Sequence, residues 1–135
     1  MKEKIIINSF SDECREMIYK AFLASSKEML LSRKFEGYCT KNVANFIAIA
    51  NALLYCKKND IDLPIYSNNM VAIKWIKEKK YNSKLYKTKK NQIIYETLES
   101  ALKWLNNNDF KNPILFWDKK KLGNFKSFFF MINKY

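Results

Sequence analysis

The chain has 135 residues, 48% apolar and 16% aromatic, and carries 25 Lys+Arg against 13 Asp+Glu for a formal net charge of +12. It contains no histidine and only two glycines, which excludes Ser-His-Asp and Cys-His catalysis, His-ligated zinc and glycine-rich phosphate loops. The length suits one domain over residues 1–135, and the composition is that of a packed protein rather than a disordered tail.

The first element is the β-branched run 4–10, Lys-Ile-Ile-Ile-Asn-Ser-Phe, which suits a buried strand. Two more strands are expected over 15–24 and 27–35, with Ser25-Ser26 as the turn; a helical period over 13–24 is the competing reading. After Gly37, Thr40 or Asn42 can cap a helix over about 42–58, where Val43, Phe46, Ile47, Ile49, Ala50, Leu53 and Leu54 give a broad apolar face. Ile65-Tyr66-Ser67 is a brief strand, and Asn68 and Asn69 then cap a helix through Val71, Ile73, Trp75 and Ile76.

Residues 77–90 are lysine-rich with little apolar period, a loop or basic protrusion. The clearest helix covers 91–105, with Ile94, Leu98, Ala101, Leu102 and Leu105 on one face and Asn106-Asn107-Asn108 at its end. A last strand spans 113–117, and the tail 118–135 is basic and aromatic, ending the order β-β-β-α-β-α-α-β-α. That order predicts an α/β fold, a mixed five-stranded sheet with helices on both faces.

Of the 25 basic residues, only Arg15 and Arg33 are arginine, and asparagine occurs 15 times. An A/T-rich genome supplies both lysine and asparagine, so a solvated lysine surface is one reading; affinity for phosphate polyanions is the other. Cys14, Cys39 and Cys56 form no C-x-x-C pair, which points to reduced thiols rather than a disulfide framework or a zinc site. No apolar run reaches membrane-spanning length and the N-terminus is too short for a signal peptide, so the expectation is a cytoplasmic protein away from membranes.

Certain segments carry a resemblance. Residues 41–53, Lys-Asn-Val-Ala-Asn-Phe-Ile-Ala-Ile-Ala-Asn-Ala-Leu, resemble the first helix of ribonuclease H. Residues 64–75, with Tyr66-Ser67-Asn68-Asn69, resemble its fourth strand and next helix, and 91–105 and the Trp117 strand with Gly123 resemble later elements. The chain is most similar to the short ribonucleases H of Bacteroidota-type bacteria. The resemblance implies hydrolysis of the RNA strand of RNA–DNA hybrids with two Mg²⁺ ions held by carboxylates.

At the positions implied for those carboxylates the sequence has Asn8, Asn45 and Asn68, and Asn124 and Phe128 in the C-terminal region. Each Asp→Asn exchange keeps the shape but removes a charge and an anionic oxygen, and neutral amides are weak Mg²⁺ ligands. The expectation is therefore a catalytically inactive ribonuclease H-like protein with no cofactor, binding RNA or RNA–DNA hybrid, as a component of a ribonucleoprotein assembly such as a ribosome.

The residues expected to meet nucleic acid are Lys77, Lys79, Lys80, Tyr81, Lys84, Tyr86, Lys87, Lys89 and Lys90, where aromatics interleave with bases, together with Lys119, Lys120 and Lys121. Two alternatives stay open. One is an active Mg²⁺-dependent nuclease with relocated carboxylates, Asp12 or Asp118. The other is a protein-interaction subunit using the Phe-rich tail, with Phe125 and 128–130.

Overall fold

The computed structural model describes residues 3–11, 16–37, 39–83 and 88–118. Five strands and three helices follow in the order β1 (Ile5–Ser11), β2 (Glu16–Leu23), β3 (Met29–Glu36), α1 (Lys41–Lys58), β4 (Ile65–Ser67), α2 (Met70–Glu78), α3 (Gln92–Asn107) and β5 (Ile114–Phe116). The strand reading of the second element holds against the helical one. The helix expected in the tail falls outside the described residues.

The strands form one mixed sheet in the order β3-β2-β1-β4-β5. β1 and β2 pair antiparallel from Ile5↔Leu23 to Ser11↔Met17, and β2 and β3 pair antiparallel with a bulge between Ala21 and Phe22. β4 is parallel to β1, through Ile5↔Ile65 and Ile6↔Tyr66, and β5 is parallel to β4. β1, β3, β4 and β5 thus run one way and only β2 runs back, so four carboxyl ends share one edge of the sheet.

Strand alternation divides the apolar residues between the two faces. Ile5, Ile7, Met17, Tyr19, Ala21, Phe35, Ile65 and Ile114 build the main core with the helices, whereas Ile6, Phe22, Ala24 and Trp117, with Tyr66 against them, form a second cluster on the other face. All three described helices pack on the main-core face.

α1 is buried on nearly every side, from Val43 through Ala50 without interruption. It lies between the sheet, α2 and α3, and its alanines let those neighbours approach closely. Thr40, not Asn42, is its N-cap, accepting from the Val43 amide at 3.2 Å. α3 shows the expected stripe of Ile94, Leu98, Ala101 and Leu105. Its end is made by asparagine side chains: Asn106, Asn107 and Asn108 each donate Nδ2 to the carbonyl four residues back, at 2.8–3.0 Å. Those bonds add a second donor to carbonyls of the last turns, of which the Trp104 carbonyl belongs to the helix terminus.

Candidate nucleic-acid interface

The carboxyl edge of the sheet gathers helix starts as well as strand ends. α1 follows β3 and α2 follows β4, so both begin there. α3 begins there too, because Gly37, just past β3, touches its first turn: a Cβ on Gly37 would lie 3.1 Å from Asn91 Oδ1 and 2.3 Å from the Lys90 carbonyl oxygen. Gly37 adopts φ +117, so glycine answers both the backbone angle and the close approach. The crevice outside the carboxyl ends of parallel strands is the usual ligand position in open α/β sheets.

The predicted positions Asn8, on β1, and Asn68, directly after β4, both lie towards this edge, beyond the last β1–β4 pair Ile6↔Tyr66. Asn8 is half-buried and Asn68 exposed. Asn45 lies in the second turn of α1, on the helix-bearing face, and is only 5% exposed. Its Nδ2 donates to the Lys41 carbonyl at 2.9 Å, while its buried Oδ1 has no hydrogen-bond partner.

Asn69 is the N-cap of α2, accepting from the Ala72 amide at 2.8 Å, and its Nδ2 donates to Asn42 Oδ1 at 3.0 Å. One side chain thus starts one helix and ties it to the start of another. Sequence reading had assigned Asn42 and Asn69 only to caps. Their pairing spans 27 positions, so local pattern carries no sign of it.

The electrostatics of the edge favour anions. Neither α1, α2 nor α3 has an acidic residue in its first turn, so the positive helix ends are uncompensated there. Lys41, Lys89 and Lys90 are exposed at these helix starts. A cleft of about 550 Å³ is lined by Lys34, Lys89, Lys90, Gly37 and Ile93 with Glu16 and Glu36, and Lys34 pairs with Glu16 at 2.8 Å.

The basic stretch 77–90 does not form one cluster. Lys89 and Lys90 stand at the carboxyl edge, but Lys79 reaches Asp109 at 3.8 Å near the opposite edge, and Lys80 lies 3.7 Å from Glu78. Lys77 is the exposed last turn of α2. Tyr81, expected as a stacking ring, packs inward on one side: its centroid lies 5.9 Å from that of Phe46 and 6.5 Å from that of Trp75. An aromatic between lysines looks the same in sequence whether its ring faces solvent or a helix. Lys84, Tyr86, Lys87, Lys119, Lys120, Lys121, Asn124 and Phe128 lie outside the described residues, as do Asp12 and Cys14.

The strand order 3-2-1-4-5, with the first helix crossing back to a parallel fourth strand, agrees with solved structures. The fold is that of ribonuclease H. The N-terminal RNase H domain of Rv2228c from Mycobacterium tuberculosis is similar at 16% identity and TM-score 0.52, over 85% of this chain and 86% of that one. RNase H1 from the halophilic archaeon Halobacterium salinarum is similar at 12% identity and TM-score 0.52, over 93% and 92%. LC11-RNase H1, isolated from compost by a metagenomic approach, is similar at 14% identity and TM-score 0.53, over 98% and 96%. No family model matches the sequence.

Among the described residues, the amides at the expected metal positions do not fit the Mg²⁺ pair of a ribonuclease H-like site. Asn8, Asn45 and Asn68 offer neutral oxygens, and the orphaned Asn45 Oδ1 is an amide carbonyl rather than an anion. Among the described residues no group of three or more His, Cys, Asp or Glu side chains could hold a metal ion. Asp118 directly follows the buried Trp117 and is half-buried. Among the described residues, no helix is long and apolar enough to cross a membrane.

Proposed function

We propose that this ribonuclease H-like chain binds RNA or RNA–DNA hybrid at the carboxyl edge of its sheet without cutting it. The observation that carries the reading is the replacement of the expected carboxylates by Asn8, Asn45 and Asn68 at an edge made of helix starts without acids. Three lost charges turn a site built to concentrate dications into one that meets phosphate directly. The net charge of +12 supplies the long-range attraction. LC11-RNase H1 has been solved in complex with RNA/DNA hybrid, and that chain shares this fold at 13% identity and TM-score 0.52. Fold alone does not give function, so the likeness supports the class of partner and not the chemistry.

A fluorescence-anisotropy titration and a cleavage assay test the reading together. Labelled hybrid and RNA bind, and affinity falls roughly 20–40-fold from 50 to 200 mM salt if three phosphates are contacted. Neither Mg²⁺ nor Mn²⁺ produces cleavage by the parent chain. Metal-dependent cleavage abolished by Asp118→Asn would overturn the proposal in favour of relocated carboxylates, and no binding at low salt would end it.

A further inference from the structure

We infer that the carboxyl edge takes single-stranded nucleic acid, with unpaired bases stacked on Phe10 and Phe116, in preference to a duplex. The inference rests on the nucleic-acid reading above and deepens it by naming the form of the partner.

Most of the large apolar side chains exposed among the described residues collect at this edge. Phe10 is 54% exposed, Phe116 45%, Met70 60% and Val71 42%. Phe10 lies two residues beyond Asn8 on β1. Phe116 pairs with Ser67, directly before Asn68. Met70 and Val71 open α2 immediately after Asn69. Scattered exposed apolar residues are normal, but rings gathered around a polar, positively biased edge mark a binding surface. The contrast with the other aromatics is direct, since Tyr66 packs on Trp117 and Tyr81 on Phe46.

What covers such a surface follows from its chemistry. The helix starts attract phosphate, the amides of Asn8 and Asn68 offer both a donor and an acceptor, and the phenyl rings offer flat apolar faces. An unpaired nucleotide presents all three counterparts: a phosphate, a free hydrogen-bonding edge and a π-face. A duplex presents phosphates and groove edges but no free π-face, because its bases already stack on one another.

The placement of the rings adds a geometric argument. Strand alternation puts Phe10 on the face of Ile6 and Phe116 on the face of Ile114, the opposite side of the sheet. The two residues therefore bracket the rim, their backbones two strands and about three residues apart, about 14 Å by ordinary strand spacing, with the rings on opposite faces. A flexible single strand can bend over that rim and set a base on each side, whereas a stiff duplex cannot engage both.

Anisotropy titrations with three probes of equal length decide it: an unstructured single-stranded RNA, the matching RNA–DNA hybrid, and an abasic strand with the same phosphates. Single-stranded RNA binds at least tenfold tighter than either other probe. Phe10→Ala and Phe116→Ala each weaken it roughly tenfold, the size expected for one lost stacking contact, and leave the abasic strand unchanged. Phe→Trp at either position retains binding. Both rings are exposed, so the variants fold, and a thermal melt checks this.

A hybrid that binds as tightly as the single strand, or alanine variants that bind like the parent, would overturn the inference while leaving the nucleic-acid reading intact. If none of the three probes binds, both fall. A dimer in sedimentation that Phe116→Ala disperses would assign the ring to a second copy of the chain and overturn the inference.

Discussion

The two edges of the sheet carry opposite chemistry. The carboxyl edge has helix starts, exposed lysines, amides and bare phenyl rings. At the amino edge lie the ends of α1 and α3 and a cleft of about 420 Å³ lined by Asp60, Asp62, Asp109, Cys56 and Lys57. Two of its lysines are engaged: Lys57 donates to Asn108 Oδ1 at 3.3 Å and to the Asp109 carbonyl at 3.2 Å, and Lys79 pairs with Asp109, while Lys111 lines the same cleft exposed. Three of the chain's few acids thus stand beside helix ends that are already negative, far from the expected metal site. The net charge is a property of the whole chain; at the carboxyl edge it meets helix starts that carry no acid in their first turns.

The largest effect that sharpens this contrast is expected at Gly37. Gly37→Ala forces a side chain into a left-handed φ and against the Lys90 carbonyl at 2.3 Å. It should cost roughly 2–4 kcal/mol in denaturant melts and separate α3 from β3. A loss under 1 kcal/mol would show that the edge is not held together there. Next is Asn69→Ala, which removes the α2 cap and the bond to Asn42. About 1–2 kcal/mol should disappear, with the largest rise in amide exchange at the starts of α1 and α2.

A smaller effect concerns the thiols, one near each edge. Burial pushes the Cys39 thiol up to about 12 and the Cys56 thiol up to about 11. A raised thiol pKa means the fold keeps the neutral form, so this contribution is complete below the ordinary value of 9.0 and is lost as pH climbs towards 11–12. Tm should therefore fall from pH 9 to pH 11, and Cys39→Ala combined with Cys56→Ala should flatten that slope. Neither thiol should react with a thiol reagent at pH 8 until the chain unfolds.

The smallest change is expected at the amino edge. Asp109→Ala breaks a pair whose carboxylate is fully exposed, and stability should move by no more than about 0.5 kcal/mol, with nucleic-acid affinity level or slightly raised. Affinity that drops instead would mean that the amino edge takes part in binding.

Much of this was readable without coordinates because the signals are local. β-Branched runs marked β1, the 3.6-residue stripe marked α3, and Thr40 and Asn69 marked helix starts by the chemistry of capping. The reading of Asn8, Asn45 and Asn68 as replaced carboxylates comes from the resemblance and not from local pattern. Less legible was the fate of residues 77–90. Their lysines look equivalent in sequence, yet the chain crosses from one edge to the other between Lys79 and Lys89, and Tyr81 turns inward on the way. Phe10 and Phe116 carried no sign at all, because an apolar residue at the end of a strand is read as core until its neighbours are placed.

The sequence by itself determined the element order, the class of fold, the surplus of positive charge and the shortage of acids, all of which depend on composition and short-range periodicity. The tertiary structure decided where each of these is expressed. Register brought β1 beside β4 from 60 positions away, as the pairing Ile6↔Tyr66 shows. The parallel arrangement of β1, β4 and β5 put helix starts at one edge and helix ends at the other. Side-chain burial then left Asn45 Oδ1 without a partner and two phenyl rings in solvent, and those depend on which distant groups come to stand nearby.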